Sequence, residues 1–104
     1  MILKAYAVHD RAADAYMRPF FESRHQMAMR MFGQAVQDQQ TEFFAHPQDY
    51  KLFCVGEFDD NKGLFKAQPP EFLCSAMEYI NGNIDRSQQT LPAIDPPVQD
   101  SDSA

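Results

Sequence analysis

Apolar and polar residues alternate loosely from Ile2 to Val8, with Leu3, Ala5 and Ala7 on one face and Ile2, Lys4, Tyr6 and Val8 on the other. A period of two, rich in β-branched and aromatic residues, predicts a strand. His9 to Glu22 keeps no period, and Arg18-Pro19 favours extended chain because the proline ring crowds the residue before it. This stretch reads as a long connection with one helical turn around Ala12 to Tyr16. The period then changes. Ser23 followed by Gln26 forms a capping-box pattern, and Ala28, Met31, Phe32, Ala35 and Val36 repeat at i, i+3, i+4, i+7 and i+8. A helix is predicted from Ser23 to near Asp38. Gly33 weakens its interior by about 1 kcal/mol relative to alanine, which the in-register apolar positions outweigh.

His46-Pro47-Gln48-Asp49 fits a turn, with proline presetting the backbone angle at the second position. Residues 50 to 58 then alternate as a strand, with Tyr50, Leu52, Cys54 and Phe58 on one face and Phe53 and Val55 on the other. Asp59 to Gly63 reads as a hairpin loop returning through Leu64 to Ala67. Pro69-Pro70 is expected to stop that strand and open a second helix, because Phe72, Leu73, Ala76, Met77 and Ile80 share one helical face and Asn81-Gly82 supplies a left-handed stop. The predicted fold class is α+β, in the order β-α-β-β-α: a small antiparallel or mixed sheet with helices packed on one face. Residues 1–82 form the single domain. Residues 83–104, rich in Pro, Ser and Asp, lack the apolar area to offset their ordering entropy and are expected to be a disordered acidic tail.

With 104 residues, 44% hydrophobic and 12% aromatic, the chain can build one core and has no room for a second. Its net charge is −6, the wrong sign for a protein that coats nucleic acid by bulk charge. The charge is unevenly spread, however. Residues 1–36 carry five cationic groups against three anionic, residues 37–82 three against eight, and residues 83–104 one against four. An anionic partner should therefore meet the first third of the chain. No stretch approaches the ~20 apolar residues needed to cross a bilayer, no signal-peptide start is recognisable, and Cys54 and Cys74 show no CxxC spacing. A reduced, cytoplasmic compartment and no membrane partner are expected.

Candidate chemistry is sparse. His9, His25, His46, Cys54 and Cys74 lack the short spacings of metal sites, and Asp59-Asp60-Asn61 has Lys62 inside it and no bidentate Glu, so it reads as a polar loop tip. The four glycines are isolated, and no strand-Ser-helix elbow is present. No cofactor, no metal and no enzymatic activity are expected. The unusual segment is Tyr16-Met17-Arg18-Pro19-Phe20-Phe21, two rings beside a guanidinium on a proline-stiffened loop. Aromatic rings beside cations suit unpaired bases, although a Phe pair ahead of a helix also serves to anchor a loop on the core.

Two longer strings carry a family resemblance: Asp10-Arg11-Ala12-Ala13-Asp14-Ala15-Tyr16-Met17-Arg18-Pro19-Phe20-Phe21 and His46-Pro47-Gln48-Asp49-Tyr50-Lys51-Leu52-Phe53-Cys54-Val55-Gly56-Glu57-Phe58-Asp59. With their spacing, they resemble the small nonstructural DNA-binding protein of gokushovirus-type microviruses, tailless phages with circular single-stranded DNA genomes. The resemblance spans roughly residues 1–80. It implies a non-enzymatic accessory of viral DNA replication or packaging, acting in the bacterial cytoplasm.

The expected interface for single-stranded DNA comprises Arg18, Phe20 and Phe21 stacking on bases, with Lys4, Arg11, Arg24 and Arg30 on phosphates. The open strand edges of a three-stranded sheet favour a homodimer. The alternative is a protein-interaction module binding a viral replication or capsid protein, or a host factor, through a sheet edge or an aromatic patch.

Overall fold

The structure, a computed structural model, describes residues 1–80. The strand predicted at the N-terminus is β1 (Ile2–Asp10). The connection after it folds into two short strands, β2 (Ala15–Tyr16) and β3 (Phe20–Glu22), rather than a helical turn. Asp10 caps the intervening turn by accepting from the Ala12 and Ala13 N–H groups, and Asp14 takes a positive φ of 52°. The chain thereby doubles back along β1, with β2 pairing its C-terminal end and β3 its N-terminal half.

Helix α1 (His25–Gln37) begins two residues later than predicted. Ser23 does not cap it; Arg24 stands at the N-cap in extended conformation with no side-chain hydrogen bond, because the chain is still leaving β3. The buried stripe is Ala28, Phe32, Gly33 and Val36, and Met31 faces solvent. Gly33 has a positive role here: a Cβ at that position would lie 2.7 Å from the ring of Tyr79, so the glycine lets that ring rest on the helix. A short α2 (Glu42–Ala45), capped by the Thr41 hydroxyl, brings Phe43 against Phe32 and Tyr50. The predicted turn follows as one 3-10 turn over Pro47–Asp49.

β4 (Tyr50–Asp59) and β5 (Leu64–Ser75) complete an antiparallel sheet in which β1 pairs β4 and β4 pairs β5. Gly63, at φ 69°, closes their hairpin. The second predicted helix does not form. Pro69 and Pro70 lie within β5, which continues to Ser75 and ends in a 3-10 turn, Ala76–Tyr79, held by a Ser75–Glu78 capping box. The prolines are tolerated because β5 is an edge strand and bulges there: Gly56 pairs with Ala67 and Cys54 with Glu71, leaving Gln68, Pro69 and Pro70 opposite Val55 alone. Residues 83–104, the expected disordered tail, lie outside the described residues.

A second bulge redistributes side chains. Ala5 pairs with Gly56 but Tyr6 pairs with Cys54, so Val55 is an inserted residue in β4. One inserted residue inverts the facing of everything beyond it. Tyr50, Leu52 and Cys54 face the helices as predicted; Phe58 is turned to the opposite face with Phe53. The helix-side core gathers Tyr6, Val8, Ala28, Phe32, Val36, Tyr50, Leu52, Cys54, Cys74 and Ala76. The helices thus cover one side of a curled sheet.

Candidate functional site

The sheet face away from α1 is built by alternation. Register places Leu3, Ala5, Ala7 and His9 of β1 on it, together with Tyr16 of β2 and Phe21 of β3. β4 adds Lys51, Phe53, Gly56 and Phe58, and β5 adds Phe65, Ala67 and Phe72. The rings form two groups. Tyr16 lies 4.7 Å from the His9 ring and 5.7 Å from Phe53, which lies 5.8 Å from Phe72. Phe58 lies 5.9 Å from Phe21 and 4.7 Å from Phe65. The small residues Ala5, Gly56 and Ala67 form the row that separates Phe53 and Phe72 from Phe58 and Phe65. Gly56 is required there, since a Cβ would meet the Lys66 carbonyl oxygen at 2.6 Å.

Four of these rings are open to solvent: Tyr16 at 45%, Phe21 at 38%, Phe65 at 69% and Phe72 at 52% exposure. Solvent-facing aromatic rings gathered on one face make it the candidate interaction surface. The charge distribution on this face is as unusual as its apolarity. Glu22, Glu57 and Glu71 all alternate to the helix side, while Asp10 and Asp59 accept turn N–H groups at the strand ends. Lys51 and His9 remain on the ring face, with Asp14 at its rim, 3.6 Å from His9 Nε2. An acidic protein therefore presents one sheet face without a carboxylate from its paired rows.

The residues expected to touch DNA are divided by the fold. Phe20 and Phe21 are neighbours on a strand and so point to opposite sides: Phe21 joins the open rings, whereas Phe20 packs against the core with its ring 5.7 Å from that of Tyr6. Arg18 is exposed in the loop between Tyr16 and Phe21. Lys4 is on the helix side and donates to Glu57 at 2.8 Å, a bond that raises the lysine pKa and lowers that of the carboxyl. Arg11 is tied to Asp49 at 2.7 Å. Arg24 and Arg30 are exposed on the helix layer, across the sheet from the rings. Tyr16, Lys51, Phe53, Phe58, Phe65 and Phe72 belong to the face without having been singled out as site residues. The alternation in β4 signals Phe53, but Phe58, Phe65 and Phe72 are legible only once the full length of β5 is known, together with the bulges at Val55 and a further one at Leu73, which is inserted between the pairs Leu52–Cys74 and Phe53–Phe72.

Both cysteines are buried and unpaired. Burial pushes the Cys74 thiol up to about 12, so it stays protonated, with the Tyr79 hydroxyl 3.6 Å away. The sequence model of the family described as Phage ORF5 protein matches residues 3–79. The chain belongs to this family. It is accordingly a phage protein, and the match ends where the described fold ends, so the ring face lies wholly within the family region. No curated protein and no solved structure matches the chain. No described helix is long and apolar enough to cross a membrane.

Proposed function

We propose that this phage protein is a non-enzymatic accessory of gokushovirus-type microviruses that holds single-stranded DNA on the open face of its sheet during genome replication or packaging. The observation that supports this most is the union of exposed Tyr16, Phe21, Phe65 and Phe72 on one face that lacks strand carboxylates. Unpaired bases offer flat apolar surfaces to such rings, and each stack contributes about 1–3 kcal/mol without requiring a basic protein. Anionic backbone is tolerated where the carboxylates have been turned to the other side. Arg18 in the loop between two rings and Lys51 beside Phe53 are placed to neutralise phosphates.

Ring-dominated binding has a distinctive salt response. Seven dispersed site residues with four phosphate contacts would give a slope of log affinity against log salt of about −3; two contacts, Arg18 and Lys51, give about −1.4. Fluorescence anisotropy of labelled single-stranded and duplex oligonucleotides across a salt series should show single-strand binding with the shallow slope, and weaker duplex binding because paired bases cannot reach the rings. Absence of single-strand binding at low salt contradicts the proposal and turns the face over to a protein partner.

A further inference from the structure

On the other side of the sheet, three potential ligands converge from three elements. His25 opens α1, Cys54 precedes the β4 bulge, and Glu71 is its partner on β5. Their ligand atoms all lie within 4.8 Å of one another. His25 Nε2 stands 3.8 Å from Glu71 Oε1, and no hydrogen bond joins any two of the three groups. The buried Cys54 thiol has only a long contact, 3.8 Å, to the Gly56 carbonyl. The other imidazole nitrogen of His25, Nδ1, is held 2.9 Å from the Tyr6 hydroxyl. Polar groups brought this close, yet not bonded to each other, leave room for an atom between them.

We propose that His25, Cys54 and Glu71 bind a divalent transition metal, zinc in the first instance. One imidazole, one thiolate and one carboxylate form a ligand set suited to tetrahedral Zn²⁺. Zinc bonds of roughly 2.0–2.3 Å set an imidazole nitrogen and a carboxylate oxygen about 3.3–3.5 Å apart in a tetrahedron, and either of them about 3.5 Å from a thiolate sulfur, so the 3.8 Å His25–Glu71 separation must close by about 0.4 Å and the longest separation, at most 4.8 Å, by up to about 1.3 Å. On binding, Cys54 gives up its thiol proton to solvent and coordinates as thiolate. The hydrogen bond between His25 Nδ1 and the Tyr6 hydroxyl is compatible with either tautomer; with the metal on Nε2, Nδ1 carries the proton and donates to the Tyr6 oxygen. His25 and Glu71 are partly open to solvent, so a water completes the fourth position. The metal would clamp the start of α1 to β4 and β5. This site is separate from the ring face, and its fate does not depend on DNA binding.

The test uses the full, tag-free, reduced chain and the metals alone. After incubation with zinc and dialysis, the protein should retain about one zinc per chain, and cobalt(II) should give a near-ultraviolet thiolate-to-metal absorption. Cys54→Ser should remove that absorption and Cys74→Ser should keep it. Glu71→Gln changes an exposed side chain and leaves the fold intact; it should weaken cobalt binding at least about tenfold. Wild-type protein that retains no zinc, an absorption that survives Cys54→Ser, or unchanged affinity in Glu71→Gln would each overturn the proposal.

Discussion

Alanine at both Phe65 and Phe72 should remove most of the single-strand affinity and little of the stability. These two rings have the largest exposure of the six on the open face, so they contribute least to the folded state and are the most available to a base. Truncating a stacking ring costs about 1–3 kcal/mol per base, so the pair should lose about 2–6 kcal/mol of binding, a factor of roughly 30 or more. Loss of two solvent-facing phenyl groups from an edge strand should change folding stability by only about 1 kcal/mol. Anisotropy with an oligothymidine and thermal unfolding of the same variant measure the two quantities side by side. A double variant that binds as tightly as the parent removes the ring face from the account.

The opposite pattern is expected for Leu52→Ala. Leu52 is fully buried among Tyr6, Val36, Cys54 and Cys74 at the centre of the helix-side core. Removing its isobutyl group leaves a cavity that rigid strands on both sides cannot close, for a loss of about 3 kcal/mol. In a domain of this size each kcal/mol shifts the unfolding midpoint by about 4–8 °C, so Tm should fall by more than about 10 °C. Below that midpoint the folded fraction should bind oligonucleotide as the parent does, since Leu52 faces away from the rings. A near-parental Tm would contradict the described core.

The two faces of the sheet were unequally legible in the sequence. β1, α1 and the first half of β4 follow from periodicity alone, because Tyr6, Val8, Ala28, Phe32, Val36, Leu52 and Cys54 recur at spacings that only one burial direction satisfies. The α+β class and the placement of helices on one face follow from the same positions. What periodicity could not supply was the length of β5. Pro69-Pro70 ordinarily ends a strand, and Phe72, Leu73, Ala76, Met77 and Ile80 satisfy a helical face as well as they satisfy a strand followed by a turn. Tertiary pairing decided between them: Leu52 and Phe53 of β4 offer Cys74 and Phe72 a ladder, and the bulge opposite Val55 absorbs the prolines.

The candidate site was half visible for the same reason. The Tyr16 to Phe21 segment is conspicuous in sequence, and it supplies two of the open rings together with Arg18. Its partners Phe53, Phe58, Phe65 and Phe72 are scattered over twenty residues, and their common face exists only after the β4 bulge has turned Phe58 over. Likewise the cations of the first third do not act as a block. Lys4 and Arg11 are held by Glu57 and Asp49, contacts distant in sequence that charge counting cannot register. His25, Cys54 and Glu71 escape any motif search because their proximity is created by three different elements and the bulges of β4 and β5.

The most direct test is to titrate isotopically labelled protein with an unlabelled oligothymidine and follow its backbone and aromatic NMR signals. Shifts concentrated at Tyr16, Phe21, Lys51, Phe53, Phe65 and Phe72, with α1 unaffected, are the predicted result. Shifts concentrated instead at Arg24 and Arg30 along α1 would contradict the account, as would a spectrum that does not change.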